Sequence, residues 1–186
     1  HYTVLVVGMG KRGMHHAAAF HANPRFKVEG VCDIDSARLE TALTKFGPVK
    51  AGTDAAALAK EIKPDVFCFC TLPSIRTEMI RTGIRSGARL IAFEKPIALG
   101  SADGMKIRDM LGKAGVKAVV SHQHRYGEHY RKVRDLIAGG ALGRLHTVYG
   151  TATGWMTHML SHLLDYMLWF NDEAVSYTHL RAPRDS

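Results

Sequence analysis

The segment Gly8-Met9-Gly10-Lys11-Arg12-Gly13 has the residue types and the spacing to hold a pyrophosphate. It follows the apolar run Thr3-Val4-Leu5-Val6-Val7 and opens a stretch that reads as helix. In a strand–turn–helix unit of this kind the first glycine permits the turn, the second lets the backbone approach the phosphates, and the third lets helix and strand pack closely. Free helix N–H groups and the helix dipole then favour negative charge at that place. Asp33 ends a second apolar run, about 20 residues beyond Gly13, where a carboxylate can accept hydrogen bonds from both ribose hydroxyls of an adenosine half. The competing role for Asp33 is a helix N-cap, which Asp35 or Ser36 fits better. Asp33 would also repel a 2′-phosphate, so NAD is expected as the cofactor. Arg12 and Arg38 soften that preference and leave NADP possible.

Three further groups could do chemistry. Glu94-Lys95-Pro96 follows the strand-like residues 90–93, at the carboxyl end of a strand, where open α/β sheets place ligands. Lys95 can offer a positive charge and a proton to a substrate hydroxyl, although a surface loop with a salt bridge would look the same. His158, Ser161, His162, Asp165 and Trp169 fall in one arc of a helix otherwise covered by apolar residues. Buried polar groups need partners, and a ligand cavity would supply them, but His158 also fits a satisfied core histidine. His158 and His162 have the i, i+4 spacing of a zinc helix. Met159 stands where HExxH requires Glu, so no metal is expected. His122-Gln123-His124-Arg125-Tyr126 follows another strand-like run and suits either substrate and nicotinamide contacts or a polar interdomain loop.

The elements that must position these groups alternate. Strand-like runs at 4–7, 27–32, 66–70, 90–93 and 117–120 enclose helical stretches at 11–23, 36–46, 54–62 and 74–86, and 101–114 lies between the last two strands. Asn23-Pro24, Gly47-Pro48, Lys63-Pro64, Gly87 and Gly115 punctuate them. Apolar strands without alternation mean that both sheet faces are covered. Repeated βα units predict an α/β fold with a doubly wound parallel sheet. Beyond residue 121 the pattern changes to a basic helix at 127–138, a strand-like run at 144–153 and an apolar helix at 155–170. That is the expected opening of a second domain.

The 186 residues carry a formal net charge of +8, which invites a nucleic-acid partner. The basic residues are dispersed, however, and the densest group, Arg125, Arg131, Lys132 and Arg134, is diluted by Glu128 and Asp135. With no nucleic-acid motif present, a solvated helix face and attraction of an anionic cofactor account for the charge. No apolar run is long enough to span a membrane and no signal peptide is seen, so a cytoplasmic protein is expected. Cys32, Cys68 and Cys70 sit in apolar strand-like runs and read as small core residues.

Together these motifs resemble the Gfo/Idh/MocA family, which takes its name from glucose–fructose oxidoreductase, inositol dehydrogenase and the rhizopine catabolism protein. The resemblance runs from Tyr2 to about Glu173. It is carried by the glycines 8, 10 and 13, Cys32-Asp33, Thr71-Leu72-Pro73, Glu94-Lys95-Pro96, His124-Arg125-Tyr126, Gly143-Arg144-Leu145 and His162-Leu163-Leu164-Asp165. It implies a Rossmann domain at 1–121 and an incomplete substrate and oligomerisation domain at 122–174. It also implies NAD(P)-dependent hydride transfer at a sugar or polyol carbon, and a homo-oligomeric parent. In that frame Gly8 to Gly13, Asp33, Arg38, Thr71 to Pro73, Glu94 and Lys95 bind cofactor. Lys95, His124, Arg125, Tyr126, His158, His162 and Asp165 meet substrate. Lys95 matches the family's substrate-contacting lysine and His162 its general acid/base. His158 falls where the family usually has Asp, which keeps a non-catalytic dinucleotide-binding sensor or regulatory module as the alternative function. Arg76 stands where relatives often carry His. Residues 175–186 do not fit the family and resemble translated sequencing-adapter read-through, so a non-native tail on an inactive fragment is expected.

Overall fold

Four of the five strand-like runs become central or near-central strands because their apolar residues have cover on both sides. The computed structural model describes residues 1–153 and 159–171. Its sheet contains β1 (Tyr2–Val7), β2 (Phe26–Cys32), β3 (Lys50–Gly52), β4 (Val66–Phe69), β5 (Leu90–Glu94) and β6 (Lys117–Ser121). All pair in parallel, in the order β3-β2-β1-β4-β5-β6. Successive side chains of a strand point to opposite faces. Leu5 and Val7 therefore join Phe67, Phe69, Ile91 and Phe93 on one face, and Val4 and Val6 join Val28, Val31 and Cys68 on the other.

Helices cover both faces. α1 (Lys11–Ala22) and α2 (Ser36–Phe46) contribute Ala17, Leu39, Ala42 and Phe46 to the second cluster. α3 (Ala55–Ile62), α4 (Arg76–Arg85) and α5 (Ser101–Ala114) contribute Leu58, Ala59, Met79, Ile80 and Ile107 to the first. Caps follow the sequence: Asp35 Oδ1 accepts the N–H of Ala37, and Asp54 Oδ1 accepts those of Ala56 and Ala57. Asp35 thus takes the capping role that competed with the ribose role for Asp33. β3 was not expected, because an edge strand of three residues has no apolar run to announce it.

The chain divides into two compact units, His1–Ser121 and His122–Ser186. In the second, α6 (Glu128–Ala138) and α7 (Ser161–Phe170) follow a short 3₁₀ turn, Gln123–Tyr126. The strand expected at 144–153 does not form; residues 145–153 are irregular. A strand needs a neighbour to pair its backbone groups, and the described residues of this unit contain no other strand. The expected helix at 155–170 is described only over its later part, α7; His158 and the segment 175–186 lie outside the described residues.

Candidate functional site

The strand order reverses between β1 and β4, and the glycine turn lies at the carboxyl end of β1 beside that switch point. Gly8 has φ +86°, a region open mainly to glycine, and its N–H donates to Cys32 O at 2.7 Å. A Cβ on Gly8 would stand 2.8 Å from Cys70 O, and one on Gly13 would collide with the carbonyl oxygen of Gly8. Those two glycines are required by the protein itself. Gly10 differs. A Cβ there would meet no atom nearer than Arg38 Nη1 at 3.9 Å, so the protein leaves room above this residue. Gly10 caps α1 without a side-chain hydrogen bond, and the first turn of the helix carries no acidic residue. An open space over unadorned helix N–H groups fits a pyrophosphate.

Asp33 closes β2 next to this turn and is only 5% exposed. Its Oδ2 accepts the Met9 N–H at 2.6 Å and its Oδ1 accepts the Asp35 N–H at 2.9 Å. A carboxylate offers about four lone-pair sites, so each oxygen keeps acceptor capacity after these bonds. Met9 itself is buried in the core, and with its N–H donated to Asp33 it shapes the turn rather than reaching outward. Arg38 lies at the rim, with Nη1 3.7 Å from Asp33 Oδ2 and Nε 3.4 Å from Asp35 Oδ2. Across the switch, Thr71 Oγ1 is buried and has no hydrogen-bond partner among the described residues. Its methyl group would stand 3.5 Å from a Cβ on Gly8. Leu72 is exposed and Pro73 opens a 3₁₀ turn. An orphaned hydroxyl, an open glycine cradle and a carboxylate with spare lone pairs together fit a dinucleotide.

At the end of β5, Glu94 Oε1 accepts from Arg12 Nε at 3.1 Å, Arg12 Nη2 at 2.9 Å and His16 Nε2 at 2.8 Å. Burial works against the charge on Glu94, but the hydrogen bonds from His16 and Arg12 outweigh it and hold the carboxyl down to about 2. Reciprocally, the bond to Glu94 pushes His16 up against the pull of burial. Burial lowers the Lys95 ammonium; Glu94 opposes that and Arg12 reinforces it. The backbone on both sides of Lys95 is held by Arg76, which is 2% exposed. Arg76 Nη1 donates to Glu94 O and, at 2.7 Å, to Pro96 O, while Nη2 reaches Thr71 O at 3.3 Å. Its guanidinium also lies over the rings of Phe93 and Phe69. Neither His16 nor Arg76 was expected at this place from the sequence. One signal was available for His16, which lies one helical turn after Arg12.

The second unit holds its own cluster. Arg125 grips Asp165 with two bonds of 2.7 Å, from Nε and Nη2. That pair, above all, raises the Arg125 guanidinium further. The polar arc of α7 was expected to need a ligand; for Asp165 the partner is Arg125, a protein group. His162 is 6% exposed and stacks on His124, with ring centroids 4.6 Å apart and planes at 6°; His122 meets it edge-on. His124 stacks in turn on Tyr130. His122 Nδ1, His124 Nδ1 and Ser161 Oγ are buried without a hydrogen bond among the described residues, although Asp165 Oδ2 lies 3.6 Å from His122 Nδ1. Tyr126 is exposed. Cys32, Cys68 and Cys70 are free thiols, the first two in the core.

Fold and glycine site define the first unit as a dinucleotide-binding Rossmann unit. Residues 2–122 match the GFO_IDH_MocA family, described as an oxidoreductase family with an NAD-binding Rossmann fold, and this chain belongs to it. It is 22% identical over 143 residues to a myo-inositol 2-dehydrogenase of Thermotoga maritima, covering 77% of this chain and 42% of that protein. It is 27% identical to an inositol 2-dehydrogenase of Rhizobium meliloti over the same shares of the two chains. The fold matches a scyllo-inositol dehydrogenase of Lactobacillus casei, solved with NAD(H) and scyllo-inositol bound, at a TM-score of 0.81 and 17% identity. That match covers 91% of this chain and 56% of the other. The chain thus spans less than half the length of these curated relatives. Among the described residues no helix is long and apolar enough to cross a membrane.

Proposed function

We propose that this chain is the cofactor-binding part, with the start of the substrate part, of an NAD-dependent dehydrogenase acting on a hydroxyl-bearing carbon of a sugar or polyol. The observation that carries the reading is the link between two places. Lys95 stands at the carboxyl end of β5, and its neighbour Glu94 is bound to Arg12 of the glycine turn. The group that would touch substrate and the loop that would hold the cofactor are thereby fixed to each other. Names of relatives support the substrate class, since inositol dehydrogenases recur among them.

When bound, the nicotinamide supplies the acceptor or donor of the hydride. The chain's own residues do the rest. The backbone at Gly10 and the first turn of α1 seat the phosphates. Asp33 offers its remaining lone pairs to the adenosine ribose, and Arg38 flanks that carboxylate. Thr71 Oγ1 offers a hydroxyl to the cofactor, with Leu72 and Pro73 forming the adjoining wall. Lys95, as an ammonium, stabilises negative charge developing on the substrate oxygen. His162 takes or returns the hydroxyl proton, the general acid–base role to which imidazole is suited. His124, stacked on His162, and Tyr126 belong to the substrate side, where the Arg125–Asp165 pair supports them. His158, which stands in the sequence where the family usually has Asp, is proposed to share the proton relay with His162.

The test has two arms. NADH fluorescence on this chain measures cofactor binding, with binding at micromolar concentrations expected. Turnover of NAD with a panel of inositols and sugars, measured on a protein that continues this chain to the length of its relatives, measures chemistry. Binding without turnover on any polyol would leave the sensor function standing and remove the dehydrogenase.

A further inference from the structure

Glu94 is the centre of a clasp with two members on one helix. Arg12 and His16 are four residues apart on α1, the helix that the glycine turn opens, and both reach the same oxygen of Glu94. The carboxylate side chain is 13% exposed, so it is shielded from water and committed to these donors. Arg12 is 45% exposed, the most open of the three, and stands in the first turn of a helix that no side chain caps. A guanidinium has more donors than Glu94 occupies. Arg12 can therefore serve an anion above the turn while its neighbour His16 keeps the carboxylate in place.

We propose that Arg12 and His16 are positioning residues for Lys95, acting through Glu94, and that Arg12 is shared with a pyrophosphate seated on the glycine turn. This deepens the proposed function and rests on it for the roles of Lys95 and of the cofactor. The charges bearing on Lys95 have opposite effects: Glu94 favours the ammonium, and Arg12 disfavours it. Neutralising Arg12 with phosphate oxygens removes the unfavourable charge. His16 prevents Glu94 from following Arg12 away, so the favourable charge stays. The outcome is a lysine that is more firmly protonated when the dinucleotide is bound, which is when a charged group is needed to hold a developing alkoxide. The coupling runs through side chains fixed to rigid elements and requires no movement of the sheet.

The probe is ADP-ribose, which carries the pyrophosphate and lacks the nicotinamide, so it cannot reach Lys95 through that ring. Lysines of the whole chain are ¹³C-dimethylated, the Lys95 resonance is assigned with Lys95→Arg, and its titration is followed by NMR with and without saturating ADP-ribose. Calorimetry on each variant measures binding separately. The Lys95 proton affinity is expected to rise about three- to fivefold with ADP-ribose, the size of one unit charge acting over a few ångströms in a water-like medium. In Arg12→Gln the free protein should already show the raised affinity, and ADP-ribose should add little to it. His16→Gln, whose amide can occupy the place of Nε2, should keep the response, and His16→Ala should weaken it at unchanged ADP-ribose affinity. A response undiminished in Arg12→Gln overturns the proposal. So does an unmoved Lys95 in a chain shown by calorimetry to hold ADP-ribose. Absence of binding heat overturns the cofactor site itself, and the sharing of Arg12 with it.

Discussion

The carboxylate of Asp33 accepts the backbone N–H of Met9 at 2.6 Å, joining the end of β2 to the middle of the glycine turn. One side chain therefore has two duties under the proposed function: it fixes the turn, and it is the carboxylate proposed to meet the ribose. Asp33→Ala should remove both. With Met9 N–H left buried and unpaired, stability should drop by about 1–3 kcal/mol, read from the midpoint of urea unfolding. NADH should also lose its advantage over NADPH in fluorescence titration, because the carboxylate that repels a 2′-phosphate is gone. A native chain that already prefers NADPH would remove Asp33 from the ribose site.

The glycines separate the needs of the fold from those of the ligand. Gly10→Ala adds a methyl to open space, so stability should change by no more than about 1 kcal/mol, the cost of a poorer N-cap. Affinity for NADH should nevertheless fall at least about tenfold, because the methyl occupies the room proposed for phosphate oxygens. Gly13→Ala should instead unfold the turn, since its Cβ would collide with Gly8 O. Thermal unfolding and NADH titration on both variants distinguish the two cases. If Gly10→Ala binds NADH as well as the parent chain, the cradle is misplaced.

The sheet was legible because its strands are buried on both faces, and burial writes continuous apolar runs such as Val4-Leu5-Val6-Val7. β3 was not, because an edge strand of Lys50, Ala51 and Gly52, the first two exposed, carries no apolar signature. Glycine turn, Asp33 and Lys95 were legible for a different reason: each lies where a strand ends, a place that the strand pattern itself marks. His16 and Arg76 were hidden because their roles are set by long-range partners. His16 meets Glu94 across 78 residues, and Arg76 donates to a backbone whose conformation the sequence does not display. Asp165 lies on α7, but its partner Arg125 is 40 residues away in the chain, beyond the reach of helical periodicity.

Arg76 makes a sharp prediction about that hidden support. It is a buried cation whose Nη1 and Nη2 donate to three main-chain carbonyls, of Thr71, Glu94 and Pro96, while its Nε has no hydrogen bond among the described residues. Arg76→Met keeps some packing against Phe93 and Phe69 and leaves those carbonyls without their donor. Stability should fall by about 3 kcal/mol, in the range for breaking a buried charged hydrogen-bond group. Arg76→Lys should recover only part of that, because an ammonium cannot reproduce the planar fork. Urea unfolding measures both. Equal stability of the Lys and Arg chains would show that charge alone, and not the fork, holds the loop.

The clasp also sets a pH window. Glu94 is held down to about 2 from an ordinary value of 4.5, so its contribution to folding is complete above about pH 4.5 and is lost as pH falls toward 2. His16 is raised from its ordinary 6.5, so its contribution is complete below about pH 6.5 and is lost as pH rises through the raised value. The ion-pair part of the clasp should therefore be strongest between about pH 4.5 and 6.5. The difference in stability between the parent chain and His16→Gln, followed by urea unfolding across pH, should be largest in that window and shrink above it. A difference that grows with alkaline pH would reverse the assignment.

The Arg125–Asp165 pair carries the last prediction, for the second unit. Its two bonds of 2.7 Å join the 3₁₀ turn to α7, and the same two segments bring His124 against His162. Fork geometry gives this pair more than a point contact would supply. Arg125 is still 40% exposed, which limits the gain through screening by water. Arg125→Lys and Asp165→Asn should each cost about 1 kcal/mol, and the double variant should cost less than their sum, with a coupling of about 0.5–1 kcal/mol. The stacked rings give a local readout. Ring-current shifts of the His124 and His162 imidazole protons should collapse toward free-histidine positions in both single variants, while Asp33 and the glycine turn, in the first unit, keep their spectra. Strict additivity with unchanged imidazole shifts would show that the pair decorates the unit without holding its histidines together.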